Sequence, residues 1–154
     1  EFGHPEWIDF PREGNGWSYD HCRRQWSLSE NKDLKYPFLP KFDEDMVAAA
    51  KSLGILRTRD RQLLLHNDEK VVAYQTDCAL LAFNFHHSRS YEGYWIPLGE
   101  AGDYQVILTT DDHCYGGYAR IRHMTYTAKK RPDGAWGIQL YLPSRTALVL
   151  EKVK

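Results

Sequence analysis

The chain has little cysteine, no excess of either charge, and no long apolar run. Its three cysteines, Cys22, Cys78 and Cys114, stand far apart and form no disulfide framework. Reduced thiols of a cytoplasmic protein are the expectation. Twenty basic against 21 acidic side chains leave a net charge of -1, without the basic stripe of a nucleic-acid binder. The longest basic run, Lys129-Lys130-Arg131, enters the turn Pro132-Asp133-Gly134 and reads as a solvated hairpin tip. No stretch approaches the ~20 apolar residues of a membrane helix, and no charged-then-apolar leader opens the sequence. Neither nucleic acid nor membrane is therefore expected as a partner.

Chemical motifs are equally sparse. There is no G-x-S-x-G elbow, and Cys22 beside His21 places two diverging side chains on one segment. Gly14-x-Gly16 and Gly99-x-x-Gly102 lack the strand–turn–helix setting of a phosphate loop. His86-His87, in an extended strand, would point to opposite faces. His113-Cys114 with His123 lacks zinc-ligand spacing. No metal and no cofactor is expected.

What the 154 residues do have is aromatic content, 14% of the chain, with 42% hydrophobic residues to build a core. Three of five tryptophans, Trp7, Trp17 and Trp26, fall near the start, which opens at Glu1 like a segment of a longer protein. Residues 1–18 have no periodicity and read as a long loop, and such loops are often functional. Carboxylates Glu1, Glu6, Asp9 and Glu13 accompany Trp7, Trp17 and Arg12. Aromatic faces can take the apolar face of a pyranose and charged groups its hydroxyls, and two carboxylates could act on a glycosidic bond. The alternative is that the tryptophans merely anchor the loop.

Downstream, Ser18 is placed to cap a helix through Tyr19, Cys22 and Trp26. Asp43 is placed to cap a second, with the stripe Met46, Val47, Ala50, Leu53 and a left-handed end at Gly54-Ile55. After about residue 55 the period becomes strand-like. Strands are expected at 71–75, 78–85, 91–98, 104–109, 124–129, 136–142 and 146–153, with 124–129 paired to 136–142 across the Pro132-Asp133-Gly134 turn. The continuous apolar run Ala79–Phe83 suggests a strand covered on both faces. The pattern is mainly β, an antiparallel sandwich preceded by a loop and helices.

The run EFGHPEWIDFPREGNGWSY, then RRQW, LKYPFLPKFDEDM, LLAFNFHHSRSYEGYWI, YGGYARI and LYLPSRTALVLEKV, spans nearly the whole chain in order. It resembles the branching enzymes that make α-1,6 links in glycogen and starch, the eukaryotic-type group of the alpha-amylase superfamily in particular. The resemblance implies a carboxy-terminal portion of such an enzyme. Residues 1–56 would be the end of a (β/α)8 barrel, its last strand-to-helix loop and terminal helices, and 57–154 an all-β sandwich. In that family the catalytic carboxylates lie on earlier barrel strands, so no catalytic residue is expected here and the isolated chain should be inert. The resemblance further implies an α-glucan (glycogen, amylose) as substrate and the remainder of the barrel as partner. It places Trp7 and Arg12, then His4 and Glu6, at the substrate. Two rivals are a free-standing glucan-binding sandwich module and a small glycosidase using Glu6 and Asp9.

Overall fold

The computed structural model describes residues 2–3 and 8–153. Two helices come first, α1 (Ser27–Glu30) and α2 (Phe38–Ser52). Nine strands follow: β1 (Arg61–His66), β2 (Val71–Gln75), β3 (Ala79–Asn84), β4 (Tyr91–Leu98), β5 (Asp103–Thr109), β6 (Thr125–Thr127), β7 (Lys129–Lys130), β8 (Trp136–Leu142) and β9 (Thr146–Val153). A large sheet runs β1-β2-β3-β9-β5-β6 and a small one β4-β8-β7. Every pairing is antiparallel.

Strand alternation sends one side chain in two to the space between the sheets. From the large sheet come Val71, Ala73, Leu80, Ala82, Val106, Leu148 and Leu150; from the small one Ile96, Leu98, Ile138, Leu140 and Leu142. All twelve are buried. Asn84 fastens the two layers together. It is fully buried, and its amide nitrogen donates to the carbonyls of Arg89, Leu142 and Pro143 while its oxygen accepts from the His86 amide. A buried amide so completely satisfied fixes register as well as adding stability.

Five expectations are corrected. The apolar run in β3 is covered on one face only. Leu80 and Ala82 are in the core, whereas Leu81 and Phe83 are half-buried on the outer face, with Phe83 stacked on the exposed Phe85. Residues 124–129 do not form one strand paired to β8. β6 pairs with β5 in the large sheet, the chain crosses over at buried Ala128, and β7 pairs with β8 in the small sheet. His86 and His87 lie beyond the end of β3 with their rings stacked 4.8 Å apart, not on opposite faces. Burial, then the neighbouring His87, holds the His86 imidazole below its ordinary pKa.

The first predicted helix is the fourth. Ser18 Oγ accepts from the Asp20 amide in a local turn, and regular helix is confined to the four residues of α1. Tyr19 and Trp26 are largely exposed, so no packed face supports a helix there. α2, by contrast, begins five residues before Asp43. Pro37 caps it and Pro40 sits in the first turn, where a missing N–H costs nothing. Gly54 closes it in the left-handed conformation as expected.

α2 carries apolar groups on two sides. One side meets the sandwich. The Phe42 ring abuts Tyr115 edge-on at 5.3 Å, the Tyr115 hydroxyl donates to Asp45 over 2.7 Å, and Leu53 is buried. The expected stripe divides there: Leu53 faces in, while Met46 and Val47, together with Leu39, stay exposed.

The connection between β5 and β6 folds around Asp111, whose side chain is 1% exposed. Arg120 reaches it through Nη2 at 2.6 Å and Nε at 3.1 Å, and the Arg120 amide donates a third bond at 2.6 Å. Burial works to raise the Asp111 carboxyl, but these bonds outweigh it and hold it below the carboxylate range.

Two outcomes follow from this architecture. Leu140→Ala, a core truncation, should cost about 2–5 kcal/mol, and Phe83→Ala about 1–2 kcal/mol because it is only partly buried; denaturant midpoints read both. Arg120→Ala strands a buried carboxylate and should cost about 2–3 kcal/mol at neutral pH, the low end because Arg120 is itself 32% exposed. In the parent protein the depressed Asp111 pKa gives stability that is lost as pH falls through it. In the variant the backbone amides of residues 118 and 120 still donate to Asp111 but the guanidinium is gone, so burial is less opposed and that pKa lies above the parent's. The gap between the two proteins should therefore narrow as pH falls below about 4, as urea titrations across pH would read.

Candidate substrate-facing loop

Of the four residues expected at a substrate, His4, Glu6 and Trp7 lie outside the described residues. Arg12 is described. Its Nε donates to Asp9 Oδ1 at 2.9 Å and its Nη2 to Asp9 Oδ2 at 3.4 Å. Asn15 completes the cluster: its amide nitrogen donates to Asp9 Oδ2 and to the Phe10 carbonyl, both at 3.1 Å, and its oxygen accepts from the Arg12 amide at 3.0 Å. The spacing D-x-x-R-x-x-N is what a short turn needs to bring three such groups together. The chain takes that turn at Glu13–Asn15, then passes through two left-handed residues, Gly16 and Trp17. Glycine adopts this conformation freely; tryptophan does so at a cost of about 1–3 kcal/mol.

The electrostatics follow. The hydrogen bonds from Arg12 and Asn15 hold the Asp9 carboxyl below its ordinary value, and Asp9 raises the Arg12 guanidinium. A general acid working near neutrality needs a raised carboxyl. Asp9 is ionised and paired, which removes the acid role from the two-carboxylate glycosidase reading. Arg12 is 60% exposed and commits two of its five N–H donors to Asp9; the others have no hydrogen-bond partner among the described residues.

Around this cluster the surface is aromatic. Phe10, Trp17 and Tyr19 are 66–70% exposed. Phe2, by contrast, is buried, its ring 5.4 Å from Trp26 and 5.9 Å from Tyr36. The loop thus enters from a buried anchor and presents rings and one arginine outward. Sequence reasoning marked Trp17 and Arg12 but missed Asp9 and Asn15 as the frame holding them; the three-residue spacing was the signal.

Other candidate ligands are engaged elsewhere. His123 Nε2 lies 2.9 Å from the Asp112 carboxylate, and His113 Nδ1 is 3.0 Å from the Gly117 carbonyl. Among the described residues no group of three His, Cys, Asp or Glu could hold a metal, and no helix is long and apolar enough to cross a membrane. The described cysteines are free thiols.

Comparison with known proteins decides the family. The alpha amylase C-terminal all-beta domain matches residues 64–153, from within β1 to the end of β9. The chain belongs to this family. Beyond the matched span, similarity extends over the loop and α2. The chain is 40% identical over 99% of its length to a 1,4-alpha-glucan-branching enzyme of Yarrowia lipolytica. It is 39% identical, again over 99%, to proteins of the same name from Solanum tuberosum and Equus caballus. It spans 23%, 18% and 22% of those three relatives.

If the Asp9 cluster organises the loop, Asp9→Ala should accelerate amide exchange from Arg12 to Trp17 and leave protection in β3, β8 and β9 unchanged. Hydrogen–deuterium exchange by mass spectrometry resolves the two regions.

Proposed function

We propose that this chain is the carboxy-terminal portion of a 1,4-alpha-glucan branching enzyme acting in glycogen biosynthesis. The observation that carries the reading is the 39–40% identity running through loop, helix and sandwich alike to enzymes of that name. A domain-family match alone would cover only the sandwich.

In this reading residues 1–56 close a (β/α)8 barrel and 57–154 form the supporting sandwich. The substrate is an α-glucan such as glycogen or amylose. The catalytic carboxylates reside on the rest of the polypeptide, where an α-1,4 link is cut, the chain is held as a glycosyl ester, and a 6-hydroxyl displaces it. The present residues supply one wall. Loops leaving the carboxyl ends of barrel strands line the reaction centre. Trp7 would stack on a glucose ring and Arg12, held by Asp9, would donate to hydroxyls, with His4 and Glu6 beside them. The partner is the rest of the same polypeptide, which the exposed Leu39, Met46 and Val47 of α2 suit. A cytoplasmic setting accords with three free thiols, although a rice relative is named as chloroplastic or amyloplastic.

The test is an exchange. The Yarrowia lipolytica relative with its matching segment replaced by this chain should branch amylose, seen as falling iodine-complex absorbance, while the 154 residues alone should not. A folded chimera without activity, or branching by the isolated chain, contradicts the reading. Trp7→Ala in the active chimera should lower branching at an unchanged thermal midpoint. A midpoint that falls in step with activity would make Trp7 a packing anchor instead.

A further inference from the structure

Arg12 is held more firmly than an exposed ion pair requires. Its guanidinium has two boundaries. Nε and Nη2 lie on the Asp9 carboxylate, at 2.9 and 3.4 Å. Nη1 occupies the space that a side-chain carbon at Gly14 would fill. The backbone of Arg12 is fixed as well: its amide donates to Asn15 Oδ1, and its carbonyl accepts from the amides of Asn15 and Trp17. Asp9 is secured in turn, since Asn15 donates to its Oδ2 and its own amide donates to the His21 carbonyl at 3.0 Å. The Asp9 side chain is 19% exposed against 60% for Arg12, so the seat is sheltered and the guanidinium is open.

Gly14 is not needed for its backbone. It lies inside the turn Glu13–Asn15 and, unlike Gly16, is not left-handed. Alanine would suit that backbone, and what it would meet is the Arg12 guanidinium. The missing side chain therefore leaves room for the arginine to fold back onto Asp9.

An ion pair this exposed adds little stability, because water screens it and both side chains lose freedom. What the arrangement supplies is direction. A loose arginine carries large rotamer entropy, which is lost when it binds a ligand. Here that entropy is already lost, and the three N–H groups not committed to Asp9 sit on the other edges of the planar fork.

We propose that Asp9, Gly14 and Asn15 are positioning residues that hold Arg12 in a preset direction for hydrogen bonds to glucan hydroxyls. The proposal rests on the reading of residues 1–56 as the end of a glucan-acting barrel. It makes D-x-x-R-x-G-N one unit, built to preorganise a single guanidinium.

Gly14→Ala separates this role from folding of the loop, because it keeps every hydrogen-bonding side chain of the cluster and displaces the guanidinium. The experiment is steady-state branching of amylose by the natural polypeptide containing this segment, with Gly14→Ala, Arg12→Ala and the two together. Gly14→Ala should lower kcat/KM about tenfold through KM, since a contact to a hydroxyl away from the cut bond is made in substrate and transition state alike. The thermal midpoint should not move. Arg12→Ala should lower kcat/KM at least as far, and in that background Gly14→Ala should have no further effect, as action through one side chain demands. Asp9→Asn, which keeps the size of the seat and removes its charge, should act in the same direction and be equally silent without Arg12. Unchanged kinetics for Gly14→Ala, an equal loss with and without the Arg12 side chain, or a midpoint that falls in step with activity overturns the proposal. Any of these in a polypeptide that branches amylose spares the enzyme reading. A folded polypeptide without branching activity removes the enzyme reading and the proposal with it.

Discussion

The buried pair of Asp111 and Arg120 is the constraint on which the junction between α2 and the sandwich depends. The β5–β6 connection has no sheet to hold it between Thr109 and Thr125. It is held instead by a carboxylate that takes both the side chain and the amide of Arg120. That closure forces glycine at 117, turns Ala119 left-handed, and carries Tyr115 to the flank of α2. A buried charge pair contributes little net stability when compared with an apolar replacement. Here its effect is geometric, since one loop conformation is selected where a solvated loop would have many.

α2 is the second determinant, because it belongs to two surfaces at once. Phe42, Asp45 and Leu53 fix it to the sandwich, through Tyr115 and the small buried environment near Cys78, whose thiol donates to the Leu53 carbonyl. Met46 and Val47 remain exposed, whereas Leu39 lines the same cavity as Phe42 and Tyr115. A helix with apolar groups left over after it has packed on one body is what a joint between two bodies requires.

Strand identity was legible wherever alternation was strong. Tyr91–Leu98, Trp136–Leu142 and Thr146–Val153 stand where periodicity and turn residues place them, and Gly54 ends its helix as read. What failed did so for tertiary reasons. The β6–β7 crossover depends on Ala128 being small enough to pass through the core between sheets, which a local pattern does not record. The Ser18 helix had the right spacing but no surface to bury. Phe83 looked like core because a run of apolar residues does not say how many layers cover it. At the loop, residue types pointed to Trp7 and Arg12, with Trp17 beside them; Trp7 lies outside the described residues, and Asp9 and Asn15 emerged as the partners of Arg12 only once the turn was built. The Arg120 clamp carried no signal at all, since a carboxylate and an arginine nine residues apart are common in any chain.

The reading as a whole turns on what the natural polypeptide containing this segment does to amylose. Proton NMR of the product resolves anomeric protons of α-1,4 and α-1,6 links. The account predicts that α-1,6 signals grow while the total of glycosidic links stays constant, as transfer demands. Growth of reducing ends without α-1,6 links would mean hydrolysis, and an unchanged spectrum would mean binding alone; either would contradict it.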